Sequence, residues 1–102
     1  LKVGGIWVSP MEVESVLLRH PLVADVAVVG RRTQEGLEKP CAFVVVKDNV
    51  QVSTKLKDDL KALARSQLAI YKYPRWINFI DQLPRTSTGK IQRYRLHDMF
   101  LE

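Results

Sequence analysis

Cysteine, histidine and long apolar runs are scarce in this chain of 102 residues. The single cysteine, Cys41, cannot form an internal disulfide, and its apolar neighbours predict a buried thiol in a reduced, cytoplasmic location. The apolar runs are only as long as strands, which predicts no membrane span. The two histidines, His20 and His97, have no carboxylate or hydroxyl partner at motif spacing, so the pattern favours neither a catalytic triad nor a metal site.

Acidic residues are few in the second half of the chain, and this asymmetry accounts for the formal net charge of +5. Residues 1–60 carry eight basic and eight acidic side chains, whereas residues 61–102 carry eight basic and three acidic ones. A basic surface favours phosphate ligands, which include nucleic acids, nucleotides and CoA. With 46% apolar and 26% charged residues, the composition is otherwise typical of one soluble globular domain.

Capping residues and apolar periodicity predict an α+β fold. The first helix is expected over residues 10–19, after the N-terminal pattern Ser9-Pro10. A second helix follows Ser53, and one stripe of it is expected to pack in the core: Leu56, Leu60, Leu63 and Ala64. A last helix over residues 92–101 would bury Leu96 and Phe100.

Three β-branched or aromatic runs predict strands over residues 23–30, 41–47 and 76–80, and the polar residues 31–39 predict a loop between the first two. The resulting order is β-α-β-β-α-β-α with short connections. We therefore expect a small sandwich in which a central three-stranded sheet is flanked by helices.

The most informative motif is Pro-Arg-Thr-Ser-Thr-Gly-Lys, from Pro84 to Lys90. Its hydroxyl-rich loop with one glycine can carry a cation into a site that the rest of the chain does not contain. A P-loop would need glycine in place of Pro84 and serine or threonine in place of Ile91. From the residues alone, an exposed turn with a solvated lysine is the alternative.

Two further segments permit more than one interpretation. Gly4 and Gly5 interrupt a strand where backbone can approach a ligand, but an ordinary bulge or turn is the favoured interpretation, with Trp7 in the core. The run Tyr71-Lys72-Tyr73 can stack a purine and neutralise a phosphate, or its aromatics can pack against the core. Arg93 and Arg95 lie near Lys90 in the sequence and would contact phosphate or solvent.

Four segments in order resemble the C-terminal domain of the adenylate-forming acyl-CoA and aryl-CoA ligases, most closely that of benzoate-CoA ligases. They are Lys2 to Pro10, His20-Pro21-x-Val23, Tyr71 to Arg75, and Pro84 to Lys90. The resemblance implies that residues 1–102 form the mobile C-terminal domain of a larger enzyme, with the hinge residue and the N-terminal domain upstream. It also implies an N-terminal hairpin segment.

The resemblance further implies a carboxylic acid-CoA ligase acting on benzoate or another aryl carboxylic acid. Its substrates would be ATP with Mg²⁺, which this domain alone does not bind, and CoA. Lys90 would be catalytic in acyl-adenylate formation, and a lysine acetyltransferase and deacetylase would act on it. Gly4 and Gly5 would line the path of the CoA pantetheine. Tyr71 would stack on the CoA adenine. Tyr73 stands where the family has a basic residue that meets the CoA phosphates, so Lys72 or Arg75 would substitute for that contact.

Two other classes of function are the alternatives. A basic nucleic-acid-binding module would bind DNA or RNA in a salt-dependent manner, although no groove-reading motif is present. A stand-alone regulatory or interaction domain would need no upstream catalytic domain. The resemblance favours neither nucleic acid nor a membrane as a partner.

Overall fold

The computed structural model describes residues 1–99, so the predicted burial of Phe100 lies outside the described residues. A two-stranded hairpin opens the chain, with β1 at Lys2–Val3 and β2 at Ile6–Trp7. The main sheet has the order β3-β4-β5, with the strands Val23–Arg32, Glu38–Val46 and Trp76–Phe79. β4 is antiparallel to β3 and parallel to β5. The predicted α+β sandwich with three central strands is confirmed.

The helices are α1 at Pro10–Leu17, α2 at Thr54–Gln67 and α3 at Arg93–Leu96, with a 3₁₀ turn at Ile70–Lys72. Ser53 caps α2 as predicted, since its side chain accepts a hydrogen bond from the Leu56 N–H at 3.1 Å. Ser9 stands at the start of α1, but its side chain makes no capping bond. α3 is shorter than predicted, because residues 97–99 leave the helix. No helix of residues 1–99 has the length and apolarity needed to cross a bilayer.

The strands of the central hairpin are longer than predicted. Residues 31–39 were expected to form a loop, yet Arg31 and Lys39, and Arg32 and Glu38, are paired across the hairpin. Their charged side chains do not signal a strand, because strand prediction depends on β-branched and aromatic residues and on apolar periodicity, which these four residues lack. Only residues 33–37 form the loop, which the Thr33 N–H closes onto the Leu37 carbonyl at 2.8 Å.

Successive side chains of the central strands point to opposite faces, which gives the domain two hydrophobic clusters. On one face, Val26, Val28, Ala42, Val44 and Ile77 pack against α1, α2 and the N-terminal hairpin. On the other face lie Ala27, Val29, Cys41 and Phe43, covered by Leu83 and Leu96 of the C-terminal segment. Cys41 is fully buried, as predicted, and its sulfur accepts a hydrogen bond from the Asn78 side chain.

Candidate functional site

The segment that carries Lys90 is a narrow hairpin. The Thr86 N–H donates to the Lys90 carbonyl at 2.8 Å, and the Gly89 N–H donates to the Thr86 carbonyl at 2.9 Å. The Thr86 hydroxyl accepts a hydrogen bond from the Lys90 N–H at 3.1 Å. Gly89 has a φ of 89°, a conformation that favours glycine at this turn. We call residues 84–91 the lysine hairpin; it leaves Lys90 exposed near its tip.

Apolar and ionic contacts fix the lysine hairpin to the sheet. Leu83 is buried and Ile91 half-buried in the cluster on the second face, and Arg85 pairs with Ile91 across the base. Arg85 also donates to the Asp25 carboxylate at 2.5 Å and to the Gly89 carbonyl at 2.6 Å. The sequence alone gave no sign of the ionic contact, because Asp25 and Arg85 are 60 residues apart.

A second arginine, Arg93, connects the C-terminal segment to α1 and, through Glu14, to the sheet. Arg93 donates to both carboxylate oxygens of Glu14, with contacts of 2.7 and 2.8 Å from one nitrogen. Glu14 is buried on α1 and also accepts the Val28 N–H at 2.8 Å. Asp25 likewise accepts the Val26 N–H at 3.0 Å. Arg93 therefore serves as a structural link between α1, β3 and the C-terminal segment.

The N-terminal hairpin presents Gly4 and Gly5 at its tip. Their φ angles are 55° and 82°, the positive pair that a two-residue type I′ turn requires. Apart from the adjoining residues, a Cβ at either position would meet no atom of residues 1–99 within 4 Å. The favoured interpretation as a turn is confirmed, and among residues 1–99 the glycine pair is explained by its backbone conformation rather than by close packing.

Side chains at the base of the N-terminal hairpin hold it to the first face of the sheet. Val3 and Val8 are buried in that cluster. The Lys2 N–H donates to the Glu38 carboxylate at 2.9 Å, and Glu38 lies so close over Gly30 that an added Cβ there would be 2.7 Å from it. The prediction of Trp7 in the core is wrong: it is 75% exposed, because Val8 takes the inward position and Trp7 lies across from Lys2.

The two hairpins lie at opposite ends and on opposite faces of the sheet. One is bound near Asp25 and the other near Glu38, which pairs with Arg32. Seven residues of strand separate Asp25 from Arg32, a distance of about 23 Å at 3.3 Å per residue. With attachment points this far apart on opposite faces, the two tips cannot enter one small site at the same time.

A basic groove of about 580 Å³ opens beside the 3₁₀ turn. Its wall contains Tyr71 and Tyr73 together with four cations and no acidic residue: Lys39, Lys61, Arg65 and Arg75. The Tyr73 hydroxyl donates to the Arg65 carbonyl at 3.3 Å, so its ring spans from the turn to α2. Aromatic faces beside several cations suit a nucleotide, since a base can stack while phosphates meet positive charge.

Lys72 does not line this groove. It donates to both oxygens of Glu12 on α1, at 2.7 and 2.9 Å, and this hydrogen bond raises the pKa of the lysine above its usual value. Its ammonium also lies 5.5 Å from the centroid of the Tyr71 ring. The structure thus brings Tyr71 and Tyr73 together in the groove, and the sequence analysis missed Lys39, Lys61 and Arg65, which no motif marks.

Comparisons with known proteins identify the family. The profile of the AMP-binding enzyme C-terminal domain matches residues 12–90, and the chain belongs to this family. It is 54% identical over 96 residues to a benzoate-CoA ligase of Thauera aromatica, covering 94% of this chain and 18% of that protein. It is 46% identical over 101 residues to a 4-hydroxybenzoate-CoA/benzoate-CoA ligase of Rhodopseudomonas palustris, covering 98% and 19%. The chain spans about a fifth of the length of these relatives.

Solved structures agree with this assignment. An anthranilate-CoA ligase crystallised with anthranoyl-AMP superposes with a TM-score of 0.94 at 48% identity, covering 97% of this chain and 19% of that one. A benzoate-CoA ligase from Burkholderia xenovorans LB400 superposes with a TM-score of 0.81 at 51% identity, covering 88% and 18%. The fold is therefore that of the C-terminal domain of adenylate-forming CoA ligases, and the nucleic-acid-binding alternative is not supported.

Proposed function

We propose that this chain is the mobile C-terminal domain of an AMP-forming ligase that joins benzoate or another aryl acid to CoA. The observation that carries the proposal is Lys90, exposed near the tip of a hairpin that is itself firmly fixed, in a chain whose relatives include aryl-CoA ligases. An N-terminal domain would supply the pockets for the acid and for magnesium ATP. The cytoplasmic location stays a prediction.

The first half-reaction forms the acyl-adenylate. A carboxylate oxygen attacks the α-phosphorus of magnesium ATP, and pyrophosphate leaves. Lys90 would approach both the carboxylate and the phosphoryl oxygens and stabilise the charge that moves between them, since an ammonium is a compact, flexible point charge. This role is electrostatic and requires no proton transfer.

The second half-reaction forms the thioester. The sulfur of CoA attacks the carbonyl carbon of the acyl-adenylate, and AMP leaves. The bare backbone at Gly4 and Gly5 would pass close to the pantetheine chain, which is consistent with the open space around both residues. Because the glycine tip and Lys90 are at opposite ends of the sheet, the domain would rotate between the two half-reactions.

The nucleotide end of CoA would lie in the basic groove. Tyr71 would stack on the adenine, and Arg75 with Lys61 and Lys39 would face the phosphates, which offsets the tyrosine at position 73. Lys72 was also predicted to meet CoA. Its pairing with Glu12 favours instead a supporting role, in which it holds the turn beside the ring of Tyr71.

Acetylation of Lys90 would remove its charge and stop adenylation, since the side chain is exposed to a modifying enzyme. Mass spectrometry combined with activity before and after deacetylation examines this regulation. Full adenylation activity in fully acetylated protein would exclude it.

The proposed function is tested by comparing the 102-residue chain with the full-length protein. The isolated chain is expected to fold, by circular dichroism, and to release no AMP from benzoate, magnesium ATP and CoA. The full-length protein is expected to release AMP and form the aryl-CoA thioester. Turnover by the isolated chain, or none by the full-length protein with a panel of aryl acids, would contradict the proposal.

A further inference from the structure

The contacts of Arg85 are unusual for an exposed arginine on a turn. One guanidinium nitrogen donates to the Gly89 carbonyl at 2.6 Å and the other to the Asp25 carboxylate at 2.5 Å. Gly89 immediately precedes Lys90 in the chain. The guanidinium therefore bridges strand β3 and the peptide group that leads into the lysine.

Asp25 is itself held in place. Its second oxygen accepts the Val26 N–H at 3.0 Å, and it lies where the register of β3 and β4 shifts. Both oxygens of this half-buried carboxylate thus have donors, one from the backbone of the sheet and one from Arg85. A planar guanidinium with two fixed donors transmits this orientation better than a single flexible ammonium.

The internal hydrogen bonds of the lysine hairpin do not set its direction. The bonds between Thr86, Gly89 and Lys90 close the turn, but each of them joins residues of the turn to one another. The base is fixed by Leu83 and Ile91, and Arg85 is the polar link from the tip to the sheet among the contacts that the structure gives for residues 84–91. Loss of this link would leave the turn closed and free to pivot about its base.

We propose that Asp25 and Arg85 are positioning residues for Lys90, fixing the direction from which the lysine enters the adenylation site. This inference rests on the proposed function. Neither residue needs to touch substrate. Misplacement of a catalytic group by about 1 Å can cost up to ~10²-fold in rate, so the link is expected to affect the rate of adenylation more than substrate affinity.

The experiment measures both half-reactions in the full-length protein. Asp25→Asn and Arg85→Gln are each expected to slow adenylation roughly 10- to 100-fold, by lowering kcat with little change in KM. The double variant should be no slower than the slower single variant. Thioester formation from supplied acyl-adenylate should keep its rate. Asp59→Asn is the matched control, because Asp59 pairs with Lys55 at 3.0 Å on the exposed face of α2.

The Lys90→Ala background shows whether Asp25 and Arg85 influence the rate of adenylation by positioning Lys90. Adding Arg85→Gln to Lys90→Ala should cause no further loss of adenylation. A further loss of tenfold, or equal slowing of both half-reactions by Asp25→Asn, would overturn the inference. If Lys90→Ala alone leaves adenylation unchanged, the proposed function fails instead. Thermal unfolding of each variant separates misfolding from misplacement, and Asp25→Asn keeps the test valid if Arg85→Gln does not fold.

Discussion

The lysine hairpin and the N-terminal hairpin are built alike at their bases but carry different groups at their tips. Each is short, lies outside the main sheet and has an apolar base, formed by Leu83 and Ile91 in one and by Val3 and Val8 in the other. The first presents the charge of Lys90 near its tip and is oriented by the ion pair of Arg85 with Asp25. The second presents the bare backbone of Gly4 and Gly5 at its tip and is held by a hydrogen bond from Lys2 to Glu38. A charge must point in a defined direction, whereas bare backbone needs only an unobstructed surface.

The largest expected effect is the slowing of adenylation by a substitution at Lys90, near the tip of the lysine hairpin. Lys90→Ala should slow adenylation by about 10²–10³-fold, by analogy with removing one donor that stabilises a charged transition state. Thioester formation from supplied acyl-adenylate should survive, because it would use the other end of the domain. Single-turnover pyrophosphate release and thioester formation measure the two steps. Equal slowing of both half-reactions would show that the two hairpins do not each serve a separate half-reaction.

The glycine tip should show the reverse pattern. Gly5→Asn tolerates the positive φ of this turn but adds a side chain, so thioester formation should slow roughly 10- to 100-fold while one turnover of pyrophosphate release continues. Gly36→Asn is the matched control, since Gly36 has the same φ of 82° and equally open surroundings in another turn. A similar slowing of thioester formation by Gly36→Asn would show that strain from the positive φ, rather than the side chain at the tip, causes the effect.

The buried ion pair behind the lysine hairpin should matter more for stability than a surface pair. Glu14→Gln weakens the contacts to Arg93 and the Val28 N–H and should cost about 1–2 kcal/mol, because Glu14 is buried while Arg93 is partly exposed. Asp59→Asn should cost less than about 0.5 kcal/mol. Urea unfolding of the chain gives both values. Equal costs would mean that burial does not distinguish the pairs.

The smallest effect is expected where Lys72 meets Glu12. Because the hydrogen bond raises the pKa of Lys72, the stabilisation is complete below the ordinary lysine pKa of about 10.4 and is lost as the pH rises through the raised value. Lys72→Met should therefore unfold more easily than the parent chain near neutral pH, and the gap should close at strongly alkaline pH. If the stability difference between Lys72→Met and the parent chain stays constant above about pH 11, packing rather than charge causes it.

Local sequence patterns predicted the helices and central strands of the fold, but they did not predict the tertiary contacts between these elements. Ser53 caps its helix as the pattern predicts, and the β-branched runs after Val23 and Cys41 form the two long strands of the main sheet. Trp7 was misplaced because hydrophobicity alone does not tell which of two neighbours, Trp7 or Val8, turns inward. The roles of Lys90, Gly4, Gly5 and Tyr71 stay predictions, since they concern ligands and a domain that this chain does not contain.

The missed contacts have a common cause. Arg85 finds Asp25 and Arg93 finds Glu14 across 60 and 79 residues, and no local spacing encodes such pairs. Each arginine could equally have been a phosphate ligand or a solvated side chain. The tertiary fold determines both pairs, because the C-terminal segment returns to β3, which carries Asp25, and to α1, which carries Glu14.

The carboxylates of Asp25 and Glu14 also cover part of the outer border of the main sheet. β3 is ten residues long and, within the described part of the chain, has a neighbouring strand on one side only, so its outer N–H groups could recruit a strand from another chain. Two of them, at Val26 and Val28, are already bonded to these carboxylates. With these two N–H groups already bonded, the outer border of β3 is a poorer template for pairing with a strand of another chain.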